Sequence, residues 1–318
     1  MTATMRIDNR PARSRSRHEA LAADVHWFGA SLPLAFFGQL LFDQVAYREI
    51  AASVDRTGRF AENFTDRGVR SFAFGALMLH TDAQDAQRFR ELVKTLHRDV
   101  HGVGKGEFAD TRYSAFDPEL WMWIAISTIN SVYQAYIRVC GRPLDATDRE
   151  IVYQTLRSEM TFLELPSRQG KLPATLDDML AEYDRVAATK LADNSFLQYA
   201  RRTIWRLPFP TLVVPVALPA PLQPVWRLLA ALAARPIVIC STAAAHPRMR
   251  ALLGQPWGPR HRAEYLVYRT ALRTAWRRLP RRLMLEPLAY NRYEYERLRD
   301  SYQSLLLESF APRDQSAT

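Results

Sequence analysis

His97 is the residue whose neighbours ask most of its chemistry. Phe89, Leu92, Val93, Leu96 and Val100 recur at helical spacing, which predicts a helix over 83–101 with one apolar stripe. His97 falls four residues after Val93 and three before Val100, so this reading turns it along the stripe toward the interior. A histidine placed there must find a partner for each ring nitrogen. The commoner arrangement is a core histidine hydrogen-bonded to a backbone carbonyl; a metal ligand is the sharper alternative. His101 follows at i+4, a spacing at which two imidazoles bind one metal from a single helical face. Yet Arg98, not a glutamate, follows His97. The remaining histidines (His18, His26, His80, His246 and His261) have no ligand-like spacing to this pair, so a two-histidine zinc site has weak support.

A second set lies in Phe64–Leu79, FTDRGVRSFAFGALML. Arg67, Arg70 and Ser71 at i, i+3 and i+4 share a face among Phe72, Phe74, Leu77 and Met78. Two cations amid aromatics need an anion or solvent; the readings are an exposed basic face, or a polar patch that takes an anionic ligand beside an apolar pocket. Further on, Ala125, Thr128, Ser131 and Ala135 form a stripe of small side chains, fit for a close helix neighbour or a flat cofactor. Arg262, Arg269, Arg273 and Arg277 are spaced to share one face of another helix, either a stripe for nucleic acid or membrane or, more commonly, a solvated face.

The elements that must position these groups are helical nearly throughout. Helices are predicted at 20–30, 34–55, 64–80, 83–101, 117–140, 145–163, 175–190, 195–206, 225–234, 236–253, 260–278 and 285–309. Asp117-Pro118, Asp145 and Thr175 are ready N-caps, and Gly102 and Gly104 end the helix that carries His97. No strand is convincing, although 212–218 between prolines suits a short extended piece. The expected organisation is a basic disordered tail over 1–20, one all-α domain over 21–310 and a frayed end over 311–318.

Composition narrows the class. The 318 residues are 48% hydrophobic and 24% charged, ample for a core, which excludes a disordered chain. Scarce glycine (12) with 19 prolines disfavours a β-sandwich, and two cysteines, Cys140 and Cys240, provide no disulfide framework. The net charge of +10 permits anionic partners without naming one. Pro33 interrupts the apolar run 27–41 and no cleavage site follows, so no signal peptide is expected and the protein is placed in the cytoplasm. Residues 225–245 are strongly apolar, but Arg227, Arg235 and Pro236 argue for a core or surface helix over a span, with peripheral membrane contact left open. Phosphate loops, dinucleotide fingerprints and nucleophile elbows are all missing from the sequence.

Taken in order, LHRDVHG (96–102), YSAFDPELWMWI (113–124), Ser131, LDATDR (144–149) and LPATLDDM (172–179) resemble the MpaB/rubber oxygenase (latex clearing protein) family, most clearly over 30–190. The resemblance implies an all-α fold enclosing a non-covalent haem b pocket, with His97 as the axial ligand of the iron. It implies distal roles for Arg67, Arg70 and Ser71, where the family carries Arg, Lys in the rubber oxygenases, and Thr. It implies O₂ as co-substrate and a hydrophobic isoprenoid, lipid or natural-product substrate cleaved at a carbon–carbon double bond. Specific nucleic-acid binding is not expected. Ala125 and Asn130 stand where the family has histidine and aspartate, so roles resting on those groups do not carry over. The alternatives are a non-catalytic helical haem- or lipid-binding protein, and a basic helical module docking on membrane or nucleic acid.

Overall fold

The computed structural model describes residues 16–31, 36–56, 64–209 and 218–309, without the side chains of 64, 66, 67 and 307–309. The helices are α1 (Arg17–Gly29), α2 (Phe37–Val45), α3 (Arg48–Asp55), α4 (Phe64–His80), α5 (Ala83–His97), α6 (Pro118–Val139) and α7 (Ala146–Met160). They continue as α8 (Leu176–Thr189), α9 (Ser195–Thr203), α10 (Gln223–Ala244), α11 (Pro247–Leu253), α12 (Pro259–Arg278), α13 (Arg281–Met284) and α14 (Pro287–Ser309). The fold is all-α, with one small hairpin of β1 (His101–Val103) and β2 (Arg112–Ser114).

Helix α6 is the axis of the core. Asp117 caps it by accepting from the Leu120 amide, and Pro118 occupies its first turn. Its buried residues run from Leu120 through Trp123, Ile126 and Ile129 to Tyr136 and Val139, on nearly every side. A helix apolar all round must be enclosed, and α2, α7, α8 and α12 enclose it. The small-residue stripe serves this packing: Ala135 lies in the seam with Phe28, Leu272 and Trp276.

Several elements differ from the expectation, each for a local reason. The helix predicted over 34–55 is two helices, because carbonyls at the end of α2 are taken from outside. Asn194 Nδ2 donates to Val45 O (2.9 Å) and Ala192 N to Ala46 O (3.0 Å). The helix predicted to reach 101 stops at His97; the chain turns through Gly102, at φ +155°, into the unforeseen hairpin, where the Tyr113 hydroxyl would crowd a Cβ at 3.1 Å. Pro236 does not divide α10. The carbonyl it releases belongs to Leu232, on the outward, exposed side of the helix, where the lost bond is cheapest. Residues 17–20, assigned to the tail, begin α1 under a Ser16–Glu19 capping box. The extended piece at 212–218 falls outside the described residues except for its last position. The stripe Arg262–Arg277 is solvated only at its ends: Arg262 and Arg277 are exposed, whereas Arg269 and Arg273 are half-buried, and Arg273 donates to the Arg138 carbonyl at the end of α6.

Candidate functional site

Helices α4 and α5 form an antiparallel hairpin over the turn Thr81–Asp82. Asp82 caps α5 by accepting from the Gln84 and Asp85 amides, both at 2.9 Å. The edge contact of Phe74 with Phe89 (centroids 6.4 Å apart) fixes the levels along the pair. Counting outward from it, Ser71 is level with Leu92, Arg70 with Val93 and Arg67 with Leu96. His97 is one residue further. The structure therefore brings all four sequence-predicted residues to the same end of one hairpin. Arg70 and Ser71 are exposed there; the Arg67 side chain lies outside the described part.

His97 is half-buried and tethered twice. Its Nδ1 lies 2.7 Å from the Val93 carbonyl, and a carbonyl only accepts, so Nδ1 carries the proton and donates. Nε2 has no hydrogen-bond partner among the described residues, and in the neutral tautomer it presents its lone pair. The imidazole meets the Trp121 ring edge-on at 5.3 Å. Trp121 is itself pinned by its indole N–H to Leu163 O, at 2.6 Å. An imidazole held by a backbone carbonyl through one nitrogen, with the other open, is the arrangement that metal-binding histidines use. The residues present thus fit haem iron on the ligand side.

The predicted core stripe of α5 needs correction. Ala86 is the one buried residue of this helix, while Leu92 is 40% and Leu96 59% exposed. Apolar side chains at the level of Arg70, Ser71 and His97 thus stand in water. His101 sits exposed on β1 opposite Ser114, off the helix, so the two-histidine metal face does not form. Among the described residues no three His, Cys, Asp or Glu side chains converge as a metal would need.

The closed end of the hairpin is different. His80, in the last turn of α4, is buried against Trp27 and His26, and its Nδ1 has no partner. Burial, with His26 and Arg292 nearby, pushes its pKa down to about 4. His26 pairs with Glu159 at 2.6 Å.

Sequence reasoning missed a polar network in the interior. Asp43 on α2 accepts from the Tyr183 hydroxyl of α8 (2.7 Å), and that hydroxyl accepts from Gln39 Nε2 (3.1 Å). All three are buried, and burial raises the Asp43 carboxyl to about 7, against the opposing hydrogen bonds from Tyr183 and Gln39. Asp43 Oδ1 and Gln39 Oε1 are both without partners. The available signal was Gln39 and Asp43 at i, i+4 within the otherwise apolar FGQLLFD.

The chain is thus an all-α protein that gathers one imidazole, Arg70, Ser71 and two exposed leucines at one end of a helical hairpin. More particularly, residues 25–275 match the family described as ER-bound oxygenase mpaB/B'/rubber oxygenase, catalytic domain, and the chain belongs to that family. No curated protein and no solved structure matches it.

Proposed function

We propose that this oxygenase-family chain is a haem b-dependent oxygenase that acts with O₂ on a hydrophobic substrate, an isoprenoid, lipid or natural-product-like alkene, by oxidative cleavage of its double bond. The single observation that carries the reading is His97: Nδ1 committed to the Val93 carbonyl and Nε2 open at the foot of an exposed apolar helix face. When bound, haem supplies the redox chemistry that lets O₂ react with an alkene. His97 Nε2 would hold the iron, and the Val93 carbonyl would keep the ring in the tautomer that ligation requires. Arg70, with Arg67, offers guanidinium donors to the haem propionates or to oxygen, and Ser71 a hydroxyl that orients a small polar molecule. Leu92 and Leu96 cover the site against water and favour a greasy substrate.

One observation favours a second reading, haem or lipid binding without turnover. Ala125 and Asn130 replace a histidine and an aspartate of the family pattern, and both are buried in α6.

Absorption spectra of the isolated protein, oxidised and dithionite-reduced, are the test. A Soret band that survives His101→Ala and disappears in His97→Ala supports both haem readings, and its absence from haem-loaded wild type overturns them. Oxygen uptake with a terpenoid and lipid panel then separates turnover from binding. Unchanged turnover and oxygen affinity in Arg70→Ala would remove that residue from its role.

A further inference from the structure

The largest excess of positive charge in this chain lies in one stretch. Between residues 194 and 285 there are 15 arginines, no lysine and a single acid, Glu264, a net of +14. Since the whole chain carries +10, everything outside that stretch sums to −4. The same stretch contains Ala220–Ala244, the one described helical segment long and apolar enough to cross a membrane.

That helix does not cross one here, because its two halves have different fates. The second half is core: Val238, Ile239, Cys240, Ser241 and Thr242 are buried. In the first half only Ala230, with the partly covered Trp226, faces the protein, and Trp226 donates to the Leu207 carbonyl (3.0 Å). Val225, Leu228, Leu229 and Leu232 are between 53% and 64% exposed. Arg235 ties α10 to α12 through two bonds to Glu264, of 2.8 and 2.7 Å, so the only acid of the stretch is already neutralised. On α12, Leu266, Val267, Thr270, Ala271, Thr274 and Arg278 line a shallow open concavity of about 780 Å³. Arg227, Arg278 and Arg282 are exposed beside these apolar residues.

We propose that the outer face of α10 and α12 docks this protein on an anionic lipid bilayer, lying in the interface without spanning it. Leucines on a helix face with arginines at its margin and no free acid match both layers of such a surface, acyl chains beneath and phosphate above. A second copy of the chain is a poor occupant, since a two-fold contact would bring the exposed Arg227, Arg278 and Arg282 of each copy together with no free acid of this stretch to pair them. Nucleic acid would use the arginines but leave the leucines in water. The proposal is independent of haem.

Vesicle sedimentation of the full chain tests it. Wild type is expected to bind phosphatidylcholine–phosphatidylserine vesicles, and to bind pure phosphatidylcholine or high-salt samples at least about tenfold more weakly. Leu228→Ser with Leu232→Ser should weaken binding about tenfold. Arg227→Glu with Arg278→Glu should weaken it at least about twentyfold, at roughly fivefold per lost arginine. All four side chains are exposed, so circular dichroism and thermal midpoints should match wild type. The salt and lipid dependence of wild type decides the matter even should a variant misfold. No binding to anionic vesicles, equal binding to neutral ones, or indifference to the leucine pair would each overturn the proposal. So would dimerisation abolished by the leucine pair, or duplex DNA binding that ignores it without vesicle binding.

Discussion

Where α2 and α8 meet, Asp43, Gln39 and Tyr183 are polar groups shut away from water, while at the open end of the α4–α5 hairpin Leu92 and Leu96 are apolar groups left in it. Each region breaks the usual partition in the opposite direction. A buried polar atom without a partner costs about 1–3 kcal/mol, so the interior network is kept at a cost and its members answer to one another. An exposed leucine imposes no such penalty; it only forgoes roughly 25 cal/mol per Å² of burial. The interior is therefore closed around its own network, with Asp43 Oδ1 and Gln39 Oε1 left unpaired, whereas the hairpin end becomes better packed only when something apolar covers it.

The largest effect expected belongs to the open end. His97→Ala removes the single Nε2 lone pair offered there, and haem titration followed at the Soret band should lose specific binding altogether. His101→Ala, on the exposed β1 strand, should leave it intact. Equal loss in both variants would break the distinction between the open end and its surroundings.

The closed interior should reveal itself through pH. Asp43 has its folded-state pKa raised from 3.8 to about 7, so folding takes up a proton in that window and stability falls as pH rises through it. His80 is lowered from 6.5 to about 4, so the unfolded chain binds the extra proton and stability rises with pH between those values. Each is worth on the order of 3–4 kcal/mol. Over pH 4–6.5 the two slopes oppose, and wild type should be nearly flat in urea unfolding. Asp43→Asn should leave stability rising with pH; His80→Gln should leave it falling. Parallel profiles in all three proteins would mean neither group is held as its burial implies.

A smaller effect is expected where the two regions touch. Trp121 is buried on α6, and its ring meets His97. Trp121→Phe keeps the aromatic wall but abandons the bond to Leu163 O, and should cost about 1–2 kcal/mol of stability. The same change should loosen His97 and weaken haem affinity several-fold, whereas a purely structural tryptophan would leave that affinity unmoved.

These regions were unequally legible in the sequence. Helix caps at Asp117, Asp145 and Thr175 were readable because capping is local, and each caps as its residue type demands. His97 stood out because periodicity singled it from its neighbours, yet periodicity also promised that Leu92 and Leu96 would be covered. A stripe states which side chains share a face but not whether another element arrives to meet it, and none of the described elements buries these two. The break between α2 and α3 was hidden for the same reason, since the groups that take its carbonyls, Asn194 and the Ala192 amide, lie about 150 residues away. The Asp43 network needed α8 brought against α2, which no local pattern announces.

A modest effect on stability is the sharpest test of what the hairpin end is for. Leu92→Ser with Leu96→Ser changes two side chains already 40% and 59% exposed, so only the covered part of their apolar area is lost from the folded state and stability should fall by about 1–2 kcal/mol. Leu197→Ala, at a residue fully buried in the core, should instead cost about 2–5 kcal/mol. Haem and apolar-ligand affinity should reverse that order, falling in the double serine variant and holding in Leu197→Ala at temperatures where it stays folded. Such a crossing separates leucines kept for a ligand from leucines kept for the fold. If the serine pair unfolds the protein as Leu197→Ala does, the face is ordinary core that the α4–α5 hairpin closes over. If it changes neither stability nor affinity, the exposed stripe has no part in the site and His97 alone must carry the proposal.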